Sequence, residues 1–141
     1  MILLDTNIVS ELMRPAPSQA VMSWLAAQPA ASLFISAVTE AELRYGVMVL
    51  PEGRKRADLV AAIEGMLAED FTGRILPFDS AAAIAFAGIA ASRRQAGQPV
   101  SQFDAQIAAI AHSRGAELAT RNVADFEGCG VEIINPWESK K

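Results

Sequence analysis

The segment Ile2-Leu3-Leu4-Asp5-Thr6-Asn7 decides how the fold is interpreted, because an apolar run passes directly into polar residues. A few consecutive apolar residues are typical of a parallel strand that is buried on both faces. Apolar residues at helical spacing follow from Ile8 and Val9. The segment therefore predicts a strand that ends at Asp5 and leads into a helix.

The alternation of apolar strand and amphipathic helix continues along the chain. Further strands are predicted over residues 33–35, 75–76, 118–119 and 131–134. Further helices are predicted after Ser18, after Ser36 or Thr39, over 54–71, after Asp79 and after Ser101. Strands that alternate with helices indicate an α/β sandwich with a mainly parallel sheet. We expect one domain over residues 1–141.

Composition excludes several classes of protein. A chain of 141 residues with 52% hydrophobic and 20% charged residues can bury a core and is not a disordered tail. One cysteine, Cys129, and one histidine, His112, exclude a disulfide framework, a cysteine-based zinc cluster and a His-pair metal site. No apolar run reaches the roughly 18 residues of a membrane span, and no signal peptide is evident. We therefore expect a cytoplasmic protein.

The net charge of −4 argues against a protein that binds nucleic acid by bulk electrostatics, because such proteins are usually basic. It argues less strongly against a metal-dependent nuclease. Bound divalent cations would offset the acidic excess, so the charge stays ambiguous until metal is counted.

The predicted topology places four acids beyond the carboxyl ends of strands, where α/β folds bind their ligands. Converging carboxylates repel one another, and more strongly when buried, so cations or protons must compensate them. Oxygen ligands without histidine or cysteine suit Mg²⁺ or Mn²⁺. The four acids lie in distant segments of the chain: Asp5, Glu42, Asp104 and Asp125.

Each of these acids also has a purely structural interpretation. Asp5 could cap a helix, the segments 39–42 and 101–104 both fit a capping box, and Asp125 could cap a turn. Asp79 also lies between a strand and a helix, but no motif accompanies it, and we interpret it as a structural cap.

Four motifs in order resemble those of the PIN-domain family, and of its VapC-type toxin ribonucleases in particular. The closing Asn135-Pro136-Trp137 is similar to the FitB-like branch. Four motifs at these separations are far more specific than any one of them. The motifs are Asp5-Thr6-Asn7, Ser36-x-x-Thr39-x-x-Glu42-Leu43-x-x-Gly46, Asp104-Ala105-x-Ile107-Ala108-Ala109 and Thr120-x-Asn122-x-x-Asp125-Phe126.

The resemblance implies a PIN-like three-layer α/β/α sandwich and endonucleolytic cleavage of RNA that depends on Mg²⁺ or Mn²⁺. It implies the toxin of a type II toxin–antitoxin system: a homodimer that is neutralised by a cognate antitoxin, with DNA contacted only through that antitoxin. It also implies that Asp5, Glu42 and Asp104 are catalytic metal ligands. Some members carry their fourth acid where this chain has Asn122, so Asp125 is the fourth ligand directly, through water, or not at all.

Metal-bound water can attack a phosphodiester without using the RNA 2′-hydroxyl, so we expect products with a 5′-phosphate and a 3′-hydroxyl. Thr6 and Asn7 begin a helix whose N–H groups could face a substrate phosphate, although both could simply close the turn after the strand. Thr120 and Asn122 could supply neutral oxygens, and Arg121 could contact RNA.

Two other functions are compatible with these acids. One is a Mg²⁺-dependent phosphohydrolase of small molecules, which is disfavoured because Asn7 breaks an Asp-x-Asp signature and no P-loop is present. The other is a catalytically silent interaction module whose acidic edge binds an arginine of a partner. The intact set of acids argues against the second.

Overall fold

Five parallel strands form the central sheet of the structure, a computed structural model that describes residues 1–138. The strands are β1 Ile2–Leu4, β2 Leu33–Ser36, β3 Ile75–Leu76, β4 Glu117–Ala119 and β5 Ile133–Ile134, in the spatial order β3-β2-β1-β4-β5. The helices are α1 Thr6–Leu12, α2 Gln19–Ala26, α3 Ala37–Met48, α4 Arg54–Gly65, α5 Ser80–Gln95, α6 Gln102–Arg114 and α7 Val123–Phe126.

Side chains of β1 alternate between two hydrophobic clusters, as expected for a strand buried on both faces. Leu3 packs in a cluster with residues of α5, α6 and α7. Ile2 and Leu4 pack in a second cluster with residues of α1 to α4. Helices therefore cover both faces of the sheet, and the predicted three-layer α/β/α sandwich is confirmed.

The predicted elements differ from the observed ones mainly at their ends. The last strand covers Ile133–Ile134 rather than 131–134. The helix predicted over 54–71 is α-helical only to Gly65 and continues as a π-helical turn over Met66–Asp70. The short helix α7 was not predicted. A domain over residues 1–141 stays a prediction, and its last three residues lie outside the described ones.

Helix α3 begins after Ser36, so of the two predicted starting points Ser36 is correct and Thr39 is not. The Ser36 hydroxyl accepts the Thr39 backbone N–H at 3.0 Å. Ser18, Asp79 and Ser101 cap helices in the same way, as their sequence positions predict. Within residues 1–138, no helix combines the length and apolar character that a membrane crossing requires.

The strands remain parallel, but the order in which they are added to the sheet reverses between β1 and β4. From β1 the chain proceeds outward through β2 and β3, whereas β4 and β5 lie on the other side of β1. Asp5 directly follows β1 and its backbone N–H donates to the Ala119 carbonyl of β4 at 2.9 Å. Open α/β sheets bind ligands at this kind of reversal, so the fold places Asp5 at the expected position of a site.

Candidate active site

Asp5 is both a helix cap and a buried acid at the carboxyl end of β1. Its side chain is only 4% exposed, and its carboxylate accepts the Thr6 backbone N–H at 2.8 Å and the Thr120 hydroxyl at 2.8 Å. A carboxylate has more acceptor positions than these two bonds use. The capping interpretation is therefore correct, and it leaves Asp5 able to hold a further ligand.

Glu42 is held beside Asp5 by the hydroxyl of Thr6, which donates to its carboxylate at 2.5 Å. The same hydroxyl lies 3.0 Å from that of Thr39. The capping box proposed for segment 39–42 is wrong, because Ser36 caps α3 and Thr39 already lies inside the helix. Glu42 thus projects from α3 toward the β1–α1 turn and plays no part in capping.

Asp104 comes from the opposite layer, in the first turn of α6. The Ser101 hydroxyl accepts its backbone N–H at 3.2 Å, as the capping interpretation predicts. Its carboxylate reaches the same cleft as Asp5 and Glu42, a cavity of about 500 Å³. The cleft is lined by Asp5, Thr6, Asn7, Ser10, Glu11, Arg14, Glu42, Asp104 and Asn122.

Burial and mutual repulsion raise the pKa values of two of these acids. Burial raises the pKa of Asp5 from 3.8 to about 6. The hydrogen bonds from Thr120 and Thr6 act to lower this pKa, whereas the negative charges of Asp104 and Glu42 raise it further. Burial also raises the pKa of Asp104, with a further contribution from the charge of Asp125. Acids with raised pKa values that share a cleft are the usual mark of a functional site.

Asp125 lies at the margin of this group. It is exposed on α7 and does not line the cleft, although its charge acts on Asp104. Asn122, at the start of α7, does line the cleft. The structure therefore brings together Asp5, Glu42 and Asp104 and leaves Asp125 beside them.

Thr120 lies behind Asp5 and is fully buried. Its hydroxyl donates to Asp5, and it accepts hydrogen bonds from the Asn7 side chain at 3.3 Å and from the Asn122 backbone at 3.0 Å. This burial leaves no surface for the substrate contact predicted for Thr120. Its hydroxyl orients Asp5 and joins the β1 and β4 ends of the site.

Arg121 is exposed next to the cleft rather than within it. Its guanidinium lies 5.0 Å from the centre of the Trp137 ring, and its backbone N–H donates to the Asn7 side chain at 3.5 Å. Such stacking holds a flexible arginine in one place. The predicted contact between Arg121 and RNA stays a prediction.

Sequence analysis missed three lining residues: Ser10 and Glu11 on α1, and Arg14 just after its end. Counted from Asn7, they stand three, four and seven positions further along the chain. The spacing of Ser10 and Glu11 puts them on the face of α1 that carries Asn7, so their signal was present once Asn7 was placed at the site. Arg14 lies beyond the end of α1, and helical spacing alone does not place it.

The donor atoms fit a small divalent cation that keeps much of its water. Within residues 1–138, no three acidic, histidine or cysteine side chains are arranged to enclose one ion. Mg²⁺ is commonly held by only one or two carboxylates together with water and substrate phosphate. Asp5 and Asp104 supply two carboxylates facing one cleft, which matches that pattern and not the closed sulfur and nitrogen sites of zinc.

Known proteins resemble this chain in sequence and in structure. The family model for the PIN domain matches residues 2–127. The chain is 41% identical to a VapC ribonuclease of Sinorhizobium fredii, covering 98% of this chain and 99% of the relative. It is 39% identical to the toxin FitB of Neisseria gonorrhoeae, covering 97% and 99%.

A solved structure of FitAB bound to an IR36 DNA fragment contains a chain that is 38% identical and superposes with a TM-score of 0.94, covering 100% of this chain and 99% of that one. The sheet order, the acids at the β1–β4 reversal and these similarities agree with one another. The chain belongs to the PIN-domain family.

Proposed function

We propose that this protein is an endoribonuclease that acts as the toxin of a toxin–antitoxin pair and requires Mg²⁺ or Mn²⁺. The observation that carries this proposal is the convergence of Asp5, Glu42 and Asp104 on one cleft at the β1–β4 reversal. The names of the relatives, a VapC ribonuclease and a FitB toxin, support the same activity.

Asp5 and Asp104 would hold the metal, with Glu42 and Asp125 completing its surroundings directly or through water. A bound divalent ion lowers the pKa of its water and withdraws charge from a phosphoryl oxygen. The protein supplies rigid acids for this chemistry: Thr120 and the Thr6 backbone fix Asp5, while the Thr6 hydroxyl fixes Glu42. Such preorganisation avoids rearrangement during the reaction.

The substrate would enter over the polar side chains that line the cleft. Thr6, Asn7 and Asn122 offer hydroxyl and amide groups to the sugar and phosphate of RNA. Arg121, stacked on Trp137, would contact the RNA strand where that strand leaves the cleft. A cytoplasmic location follows from this substrate class.

The proposed partners are a cognate antitoxin and a second copy of the chain. The FitAB structure is a complex on DNA, and we propose that this toxin likewise reaches DNA only through its antitoxin. Three exposed apolar side chains cluster at the end of α3, namely Tyr45, Met48 and Val49. Their exposure supports a homodimer, to be tested by sedimentation of the purified chain at micromolar concentration, where a monomer would contradict it.

The activity is tested by incubating the purified protein with total cellular RNA in Mg²⁺, in Mn²⁺ and in EDTA. We expect cleavage with either metal, none in EDTA, and product ends that carry a 5′-phosphate. Inhibition by a small protein encoded beside this one would establish the antitoxin. Cleavage that persists in EDTA would contradict the metal-dependent mechanism. Hydrolysis of small phosphate esters but not RNA would favour the phosphohydrolase alternative.

A further inference from the structure

The acidic cleft contains one basic side chain, and its place suggests how an anionic substrate is received. Among the described residues that line the cleft, four are acidic and Arg14 alone is basic. A cleft of this charge repels RNA phosphates at the point where they must approach the acids. A cation at the rim would counter that repulsion locally, even though the whole chain is acidic.

Arg14 is held weakly and at one point. Its guanidinium lies 3.4 Å from the Glu11 carboxylate, and its side chain is 63% exposed. At 3.4 Å the contact is longer than a strong charge-assisted hydrogen bond, and most of the arginine side chain lies in water. The guanidinium therefore keeps donors free and exchanges partners easily, and its planar fork is suited to two oxygens of one phosphate.

Glu11, in contrast, is fixed. It is only 6% exposed, and its second oxygen accepts the Ser18 backbone N–H at 2.7 Å at the start of α2. This bond orients the carboxylate so that its other oxygen faces Arg14. A buried acid held by the backbone thus keeps a mobile arginine at the rim of the cleft.

We propose that Arg14 binds an RNA phosphate beside the scissile bond. In the absence of RNA, the Glu11 carboxylate holds the Arg14 guanidinium at the rim, and the RNA phosphate then replaces this carboxylate as its partner. This inference rests on the proposed ribonuclease function. The shared cleft, the high exposure of Arg14 and the rigid attachment of Glu11 carry it. Arg14 acts on RNA binding, and Glu11 is the resting partner that the guanidinium leaves when RNA binds.

The test compares Arg14→Gln with Arg94→Gln, which removes the same charge from an exposed position on α5 that does not line the cleft. Binding of fluorescently labelled poly(U) RNA is measured by anisotropy in EDTA, and KM and kcat of cleavage are measured in Mg²⁺. We expect Arg14→Gln to weaken binding and raise KM about tenfold with kcat nearly unchanged. The salt dependence of its binding should fall by about 0.7 in logarithmic slope, the loss of one phosphate contact. Arg94→Gln should change none of these.

A second variant, Glu11→Gln, tests whether the Glu11 carboxylate competes with RNA for the guanidinium. The amide can still accept the Ser18 N–H, but it no longer competes with RNA for the guanidinium. We expect this variant to bind poly(U) at least as tightly as the wild type.

The proposal is overturned if Arg14→Gln retains the wild-type affinity and salt slope, or if both variants weaken binding equally. In either case a wild-type protein that still cleaves RNA leaves the proposed function intact. A wild-type protein that neither binds nor cleaves RNA overturns both.

Discussion

Asp5 combines the two interpretations that sequence analysis had left open, because a carboxylate that caps α1 also faces the cleft. The combination has an energetic cost. A buried acid with few compensating charges resists ionisation, which is why its pKa is about 6. The folded protein therefore keeps a proton on Asp5 over a pH range in which the unfolded chain loses it.

This difference predicts a pH dependence of stability with a definite sign. Between the unfolded pKa of 3.8 and the folded value of about 6, the folded state binds more protons, so the free energy of unfolding falls as pH rises. In metal-free buffer the loss reaches about 3 kcal/mol above pH 6. Asp5→Asn should flatten the dependence and be the more stable protein at pH 7.5. Denaturant unfolding in EDTA at pH 4.5 and 7.5 measures this, and equal slopes for both proteins would contradict it.

Asp104 and Asp79 occupy similar positions in the sequence, each an acid near the start of a helix, but their surroundings in the structure differ. Both stand near a helix start, yet Asp79 accepts the Ala82 N–H at 3.0 Å and lies near Arg114, outside the cleft. Asp104→Asn should abolish RNA cleavage without destabilising the metal-free protein. Asp79→Ala should cost about 0.5–2 kcal/mol of stability and leave cleavage per folded molecule nearly unchanged. Thermal melts and cleavage rates on the same preparations decide, and the reverse pattern would refute the assignment.

At the scale of elements, α5 joins the two segments that carry Asp104 and Asp125. Arg93 is 8% exposed, and its guanidinium donates to the Gln98 carbonyl at 2.6 Å and to the Glu127 carbonyl. Gln98 lies in the loop before α6, and Glu127 directly follows the last residue of α7. One buried side chain on α5 therefore fixes the approach to α6 and the exit from α7.

Replacing Arg93 by Met should remove these bonds while keeping an unbranched apolar stem. A hydrogen bond from a charged group contributes about 1.5–3 kcal/mol, so Arg93→Met should unfold at clearly lower denaturant concentration. Arg94→Met, the exposed neighbour, should change stability by no more than about 0.5 kcal/mol. Urea unfolding of both variants measures the difference, and equal midpoints would show that the Arg93 bonds are not needed.

The elements that could be predicted are those with a local signal. The β1 strand is a bare apolar run, and Ser18, Asp79 and Ser101 cap the helices after them. The sequence alone could not tell whether Glu42 belongs to a capping box. The answer depends on whether Ser36 or Thr39 caps α3, and in the structure Ser36 does. Likewise, the burial of Arg93 depends in part on the Glu127 carbonyl, 34 residues further along the chain.

Across the whole molecule, the sheet order explains why distant acids meet. The reversal between β1 and β4 opens an edge at which the β1–α1 turn, Glu42 of α3, the start of α6 and the segment after β4 meet. The same arrangement concentrates negative charge in a chain whose net charge is already −4. Repulsion between the clustered carboxylates lowers the stability of the metal-free protein, and the same carboxylates form a site that could bind a cation.

Divalent metal should therefore stabilise the folded protein as well as activate it. An ion that binds only the folded state adds about 2.7 kcal/mol when its concentration is a hundred times the dissociation constant, so millimolar Mg²⁺ or Mn²⁺ should raise the melting temperature and EDTA should reverse the rise. The double variant Asp5→Asn with Asp104→Asn should lose the shift, because it removes both carboxylates that are proposed to hold the ion. Asp79→Asn, which removes a carboxylate outside the cleft, should keep it. A shift of equal size in the double variant would place the metal elsewhere, and no shift in the wild type would show that these acids do not form a metal site.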